Sequence, residues 1–200
     1  MSTARDLVLV ALGKPAGHLV GQGDLSLTLA GAEAVDLLRS GALKLDGDRI
    51  VPGPPTVTGD VLLDQADASL ARQEPYETLD DWLWRRADGL AMAYVHELER
   101  TGLLVHEHRH GFRLLSERTV LADSRARRAA EERRASGEPV LTALLAAAGI
   151  DEEPLASDGS ALDDAVTSVL AAVGDAVVQL ESLRLRRDVE NAAFDNVWRG

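Results

Sequence analysis

One arrangement occurs twice in this chain and limits what it can fold into. A run with apolar residues at helical spacing meets a glycine, and a Leu-rich strand, a polar turn and a second strand follow. The first copy spans Leu37 to Val51, with Gly41 at the break; the second spans Leu98 to Leu115, with Gly102. A glycine just past the last periodic residue stops a helix, and alternating apolar residues around a polar turn read as a hairpin. Such a chain joins helices through small antiparallel ribbons rather than building one continuous sheet. The expected fold class is mainly α: a compact helical domain with two small β-hairpins.

The remaining segments read as helices and loops. Asp6 to Leu12 is a short helix capped by Thr3 or Asp6, and Gly13, Pro15, Gly17, Gly21 and Gly23 make the loop after it. Ser26 to Arg39 is helical, and the first hairpin carries Asp46-Gly47 at its turn. Thr58 or Asp60 caps a helix with Val61, Leu62, Leu63, Ala66 and Leu70; Thr78 caps the next, with Asp81 at the capping-box position. Leu90 to Arg100 is a further helix. In the second hairpin, Leu103 to Val105 leads to a tip at His108–Gly111 and returns through Phe112 to Leu115. Ser124 opens an arginine-rich helix ending at Ala135, and Val140 to Ala148 forms another, stopped by Gly149. Asp151 to Ser160 reads as a linker, and Leu162–Val173 and Ala176–Leu185 as two helices parted near Gly174. Residues 1–200 are expected to form a single domain whose C-terminal helical part is 151–200.

Composition narrows the function. The chain has 200 residues, a formal net charge of −12, 4% aromatic residues and no cysteine. The missing cysteine removes disulfides, thiolate metal sites and cysteine nucleophiles. The acidic balance and scarce aromatics exclude a general nucleic-acid partner. Each helix–glycine–hairpin unit has a winged-helix pattern, but the helices before the hairpins carry Glu33, Asp36, Glu97 and Glu99 where a DNA reader needs cations. The apolar Leu7–Leu12 is too short for a signal segment, and no run reaches the roughly 18 apolar residues of a membrane span. The expected location is cytoplasmic, with any membrane contact peripheral at the inner face.

Four groups of side chains could carry chemistry. His106, His108 and His110 alternate and fall on one strand face, yet no carboxylate or thiolate completes a metal set, so a polar strand edge is expected and no metal. Trp82, Trp84, Arg85 and Arg86 form an aromatic–basic cluster suited to a membrane interface or a phosphate, or else a core tryptophan beside solvated arginines. Arg125, Arg127, Arg128, Arg133 and Arg134 form a second basic group. Eight arginines face four acids between residues 109 and 134, whereas residues 137 to 183 hold nine acids and no Lys or Arg. That dipolar layout can turn one end toward an anionic surface or pair internally. Asp60 and Asp64 lie one turn apart, but Asp60 stands where a helix cap belongs. The chain lacks G-x-S-x-G, P-loop, G-x-G-x-x-G and H-E-x-x-H patterns, so neither an enzyme nor a cofactor is expected.

The string Thr56-Val57-Thr58-Gly59-Asp60-Val61-Leu62-Leu63-Asp64-Gln65-Ala66 resembles the central motif of the Golgi phosphoprotein 3 family. Leu37-Leu38-Arg39-Ser40-Gly41-Ala42-Leu43-Lys44-Leu45-Asp46 precedes it. Thr78-Leu79-Asp80-Asp81-Trp82 and Leu98-Glu99-Arg100-Thr101-Gly102-Leu103-Leu104 follow in the family's order and spacing. The resemblance covers roughly Asp6 to Ala148, and the Ala- and Arg-rich, Lys-poor composition suggests a bacterial, high-GC and so actinobacterial member. It implies a non-catalytic cytoplasmic adaptor. Eukaryotic relatives are peripheral membrane proteins that hold the phosphatidylinositol 4-phosphate headgroup in a basic pocket and bind cytoplasmic tails of membrane enzymes. Their second hairpin serves membrane contact or self-association.

The family's headgroup pocket uses a tryptophan and three arginines. Aligned through Gly41 and Gly102, these positions fall on Gly21, Ala30, Asp88 and Ala91, none of which carries a donor side chain. The chain is therefore expected not to hold phosphatidylinositol 4-phosphate through those positions. Candidate lipid-binding residues are instead Trp84, Arg85, Arg86, Arg125 and Arg128, giving weak, salt-sensitive attraction to an anionic headgroup. His108, Arg109, His110 and Phe112 of the second hairpin are the candidates for a protein partner or self-association. The alternative is a protein-interaction or regulatory module that has lost the lipid site.

Overall fold

Helix α2, Gln22–Ser40, is apolar on nearly every side, and such a helix has to be covered all round. Leu27, Leu29, Ala30, Ala34, Val35 and Leu37 are all at most 1% exposed. Around it pack α1 (Thr3–Gly13), α3 (Val61–Ala68), α4 (Leu79–Ala87), α5 (Leu90–Arg100), α7 (Pro139–Ala147) and α8 (Asp164–Val197), while α6 (Arg125–Ala135) lies on α1. Strands β1 (Leu43–Asp46) and β2 (Arg49–Pro52) form one antiparallel ribbon, and β3 (Leu104–Arg109) and β4 (Ser116–Leu121) the other. The computed structural model describes residues 2–14, 20–109, 116–151 and 162–197; side chains 106–109, 116–119 and 192–197 lie outside that description. The fold is the mainly α class with two small hairpins read from the sequence.

The repeated helix–glycine–hairpin unit has one local cause. Gly41 and Gly102 have φ of 75° and 71°, a region costly for a residue with Cβ. After each, the chain turns back so that Ala42 N–H donates to Leu37 O at 3.0 Å and Leu103 N–H to Leu98 O at 2.8 Å. These bonds close the last helical turn and aim the chain into a strand. In the first hairpin the register pairs Asp46 with Arg49, so Gly47-Asp48 forms the turn, one residue beyond the Asp46-Gly47 expected.

Several helix starts are as expected. Thr78 Oγ1 accepts from Asp81 N–H, and Ser124 Oγ accepts from Arg127 N–H, both at 3.1 Å. Asp60 Oδ1 accepts from Leu62 N–H at 3.1 Å and Leu63 N–H at 3.4 Å. Its other oxygen lies 3.3 Å from the Arg5 guanidinium. Asp64, one turn on, accepts from Thr58 N–H and Thr58 Oγ1, both at 2.7 Å, and these bonds hold its carboxyl below the ordinary range. The two carboxylates of the Thr58–Asp64 string thus lock a loop to a helix. Asp60→Ala is expected to cost about 1 kcal/mol, read as a lowered midpoint in urea denaturation; an unchanged midpoint would remove the capping role.

Four expectations are corrected. Helix α1 starts at Thr3 with Ser2 as its cap, not Thr3 or Asp6, because Asp36 on α2 reaches its first turn and accepts from Thr3 N–H at 2.6 Å. Helix α8 runs unbroken through Gly174. One glycine costs only about 1 kcal/mol in a helix, and buried Val169, Val173 and Ala176 bind the flanking turns to the body. By length and composition α8 is also apolar enough to cross a membrane over Asp164–Asn191, because alanine and valine accumulate there without forming one long run. In the second hairpin the strand paired with β3 is β4, and the expected return segment Phe112–Leu115 lies outside the described residues. His108 and Arg109 belong to β3 opposite Glu117 and Ser116 rather than to a tip, with buried Leu104 and Leu121 paired at the base. His110 and Phe112 lie outside the described residues, as does most of the Asp151–Ser160 linker.

Candidate functional site

A cleft of about 610 Å³ opens where the first turn of α2 meets the end of α4, the start of α5 and the middle of α8. Its apolar wall is Leu27, Trp84, Ala87 and Leu180, and its polar groups come from Gln22, Ser26 and Asp88. Local sequence explains the opening. Helix α4 ends at Asp88 in extended conformation, and Gly89, in the left-handed region, starts α5 at once. At Gly23 an added Cβ would stand 2.7 Å from Leu180 Cδ2 and 2.9 Å from Arg184 Nη2. A side chain at this position would displace the ends of the Leu180 and Arg184 side chains that α8 lays over α2.

Two helix N-termini meet at this cleft. Neither Gly21, before α2, nor Gly89, before α5, provides a side-chain cap. Free N–H groups at a helix start, together with the helix dipole, favour an anion. Ser26 Oγ accepts from Ala91 N–H at 3.2 Å, tying the two helices together. Arg184 stands at the rim, its guanidinium 2.8 and 2.9 Å from the Asp24 carboxylate and beside Gly21 and Gly23. Against these, Asp88 places a carboxylate in the lining.

The arginines read from the sequence do not gather here. Arg85 is held by Glu77 at 2.8 and 2.6 Å and by Ser69 O at 3.2 Å; the Glu77 hydrogen bonds raise its pKa. Arg86 points into the protein rather than to solvent. It donates to both oxygens of fully buried Glu33, at 2.7 and 2.9 Å, and to Leu62 O at 3.0 Å, while Tyr94 Oη donates to the same carboxylate at 3.0 Å. Burial pushes Glu33 up, and the bonds from Arg86 and Tyr94 oppose that push. Arg125 and Arg128 are exposed on α6, which packs chiefly on α1; Arg128 pairs with Asp123 at 2.6 Å. Of the five candidates, only Trp84 lines the cleft.

Sequence reading misses Leu180, which lines the cleft from α8, and Arg184 one turn on at its rim. The partner of Arg184, Asp24, is 160 positions away, and no local spacing marks it. Of the positions aligned with the family's headgroup pocket, Asp88 lines the cleft, and Gly21 and Ala91 border it through Gln22 and Ser26. Ala30 is fully buried.

A central helix wrapped by others, two helix–glycine–hairpin units and a cleft at the α4–α5 break define a mainly helical domain with an open cleft. Residues 4–184 match the family model of Golgi phosphoprotein 3, GPP34, and the chain belongs to that family. The family is not one of known enzymes. No curated protein matches the chain.

Proposed function

We propose that the protein is a non-catalytic, cytoplasmic adaptor that docks peripherally on anionic, phosphate-bearing lipid through the cleft between α2, α4, α5 and α8. Phosphatidylinositol 4-phosphate is the headgroup the family implies. The observation behind this reading is that the first turn of α2, which has no side-chain cap, and that of α5, whose Ala91 N–H is taken by Ser26, meet at one opening with Arg184 at its rim. Backbone N–H groups take the place of missing arginines as phosphate donors, and the partly buried Trp84 supplies an amphipathic ring suited to the membrane interface. The net charge of −12 gives no long-range attraction, so binding is short-range and screened beyond about 8 Å at physiological salt.

A second reading rests on Asp88 and the apolar wall. An acidic residue beside Trp84, Leu27 and Leu180 suits a basic–apolar peptide, such as a cytoplasmic tail of a membrane protein. Asp88→Asn separates the two. Vesicles of phosphatidylglycerol, and vesicles of matched charge containing phosphatidylinositol 4-phosphate, are expected to sediment the protein at low salt and several-fold less at physiological salt. Arg184→Ala and Trp84→Ala should weaken this binding, and Asp88→Asn should strengthen it. No sedimentation at low salt would overturn the lipid reading. A basic–apolar peptide whose binding falls on Asp88→Asn would establish the other.

A further inference from the structure

Helix α8 has apolar residues on two opposite sides. Val169, Val173, Ala176 and Leu180 face the body, the first three fully buried. Half a turn round the helix, Val178 and Leu185 lie seven residues apart, and Val189 follows four further on; they are 64%, 60% and 69% exposed. Ser182 completes the stripe, and its hydroxyl already donates to Val178 O at 3.0 Å, so covering it orphans no donor. Residues 181 to 191 are exposed throughout. The 34-residue helix, about 50 Å long, thus carries its last turns beyond the body with an uncovered apolar seam.

We infer that this seam is a self-association surface, on which α8 of a second copy lies parallel and in register. Spacing and charge both favour that occupant. In heptad terms Val178 and Leu185 take d positions and Ser182 and Val189 take a positions; leucine at d with a β-branched residue at a suits a two-stranded parallel coil. Glu181 and Asp188 then flank the seam on one side at g, and Arg186 on the other at e. None of these three has an ion-pair partner among the described residues. A parallel partner sets Glu181 against Arg186 of the second copy, twice by symmetry. An antiparallel partner would set acid against acid. At its start the seam borders the body, where Glu181 and Leu185 share a cleft with Ala147, Gly149 and Asp24, and residues 186 to 191 beyond it are exposed.

The test uses the full chain in analytical ultracentrifugation from micromolar to submillimolar concentration, with far-UV circular dichroism to show that variants keep their helices. A concentration-dependent dimer is expected. Leu185→Glu should weaken it by about tenfold or more. Glu181→Arg and Arg186→Glu should each weaken it, and the double substitution should restore it. The chain has no cysteine, so oxidised Ser182→Cys should yield a linked dimer, because a positions meet their own copies only in a parallel, in-register pair. A monomer at every concentration, with or without vesicle binding through Leu185, overturns the inference. So does a dimer indifferent to Leu185→Glu, which would place association elsewhere, and so does a dimer strengthened by Glu181→Arg alone.

Discussion

Arg86→Ala is expected to destabilise the protein by about 3–5 kcal/mol, a melting shift on the order of 10 °C. Glu33 is fully buried on α2, and Arg86 on α4 is the only cation hydrogen-bonded to it among the described residues. Removing the guanidinium leaves a buried carboxylate with one neutral donor, Tyr94 Oη. That uncompensated charge, rather than the worth of the pair itself, makes the loss large. Glu33→Leu with Arg86→Met is therefore expected to lose less than Arg86→Ala alone, although Tyr94 Oη and Leu62 O then lack these partners. The effect has a definite pH sign. Burial raises the Glu33 pKa above its ordinary 4.5, so the folded state binds this proton more tightly than the unfolded chain does. The Glu33 contribution is most favourable at acid pH and declines as pH rises from 4.5 through the folded value. Without Arg86 the folded value rises further. The gap between wild type and Arg86→Ala should therefore widen from acid to neutral pH in paired urea titrations; a gap constant with pH would mean that Glu33 is not the group left exposed to the loss.

This pair also marks where sequence reading stops. Arg86 beside Trp84 and Arg85 reads as a basic surface patch because the local string shows cations and no acids. Its partner lies 53 residues away. The features legible in advance are those decided within one turn of helix: Asp60, Thr78 and Ser124 as caps, Gly41 and Gly102 as stops, the first hairpin. Features decided at a distance were missed. Ser2 replaces Thr3 and Asp6 as the first cap because Asp36 supports it from α2. Helix α8 passes Gly174 because the core grips both sides of it. His108 and Arg109 fall in β3 rather than at a tip because the register that buried Leu104 and Leu121 set at the base carries both strands that far. The cleft follows the same rule. Trp84 and Asp88 are visible as sequence features, but Leu180 joins them, and Arg184 comes to Asp24 at the rim, only through the fold of the whole chain.

Two tryptophans two residues apart on α4 should answer mutation in opposite ways. Trp82 is fully buried against the core, and Trp84, turned to another side of the helix, is partly buried and lines the cleft. Trp82→Ala removes the bulkiest fully buried side chain and is expected to cost about 3–5 kcal/mol. Trp82→Phe is expected to cost far less than its lost volume suggests. The indole Nε1–H of Trp82 is buried without a hydrogen-bond partner among the described residues, and such an orphan costs about 1–3 kcal/mol that phenylalanine does not incur. The smaller ring loses packing and gains that relief, so the net change should lie within about 1 kcal/mol of wild type. Thermal unfolding followed by far-UV circular dichroism checks both values. A Trp82→Phe loss as large as that of Trp82→Ala would show that the indole N–H is satisfied in solution, by a water inside the core. Trp84 packs only on the edge of the core, so Trp84→Ala should lower the melting temperature much less than Trp82→Ala while vesicle binding falls, which separates the tryptophan that holds α4 in place from the one that α4 presents to a ligand.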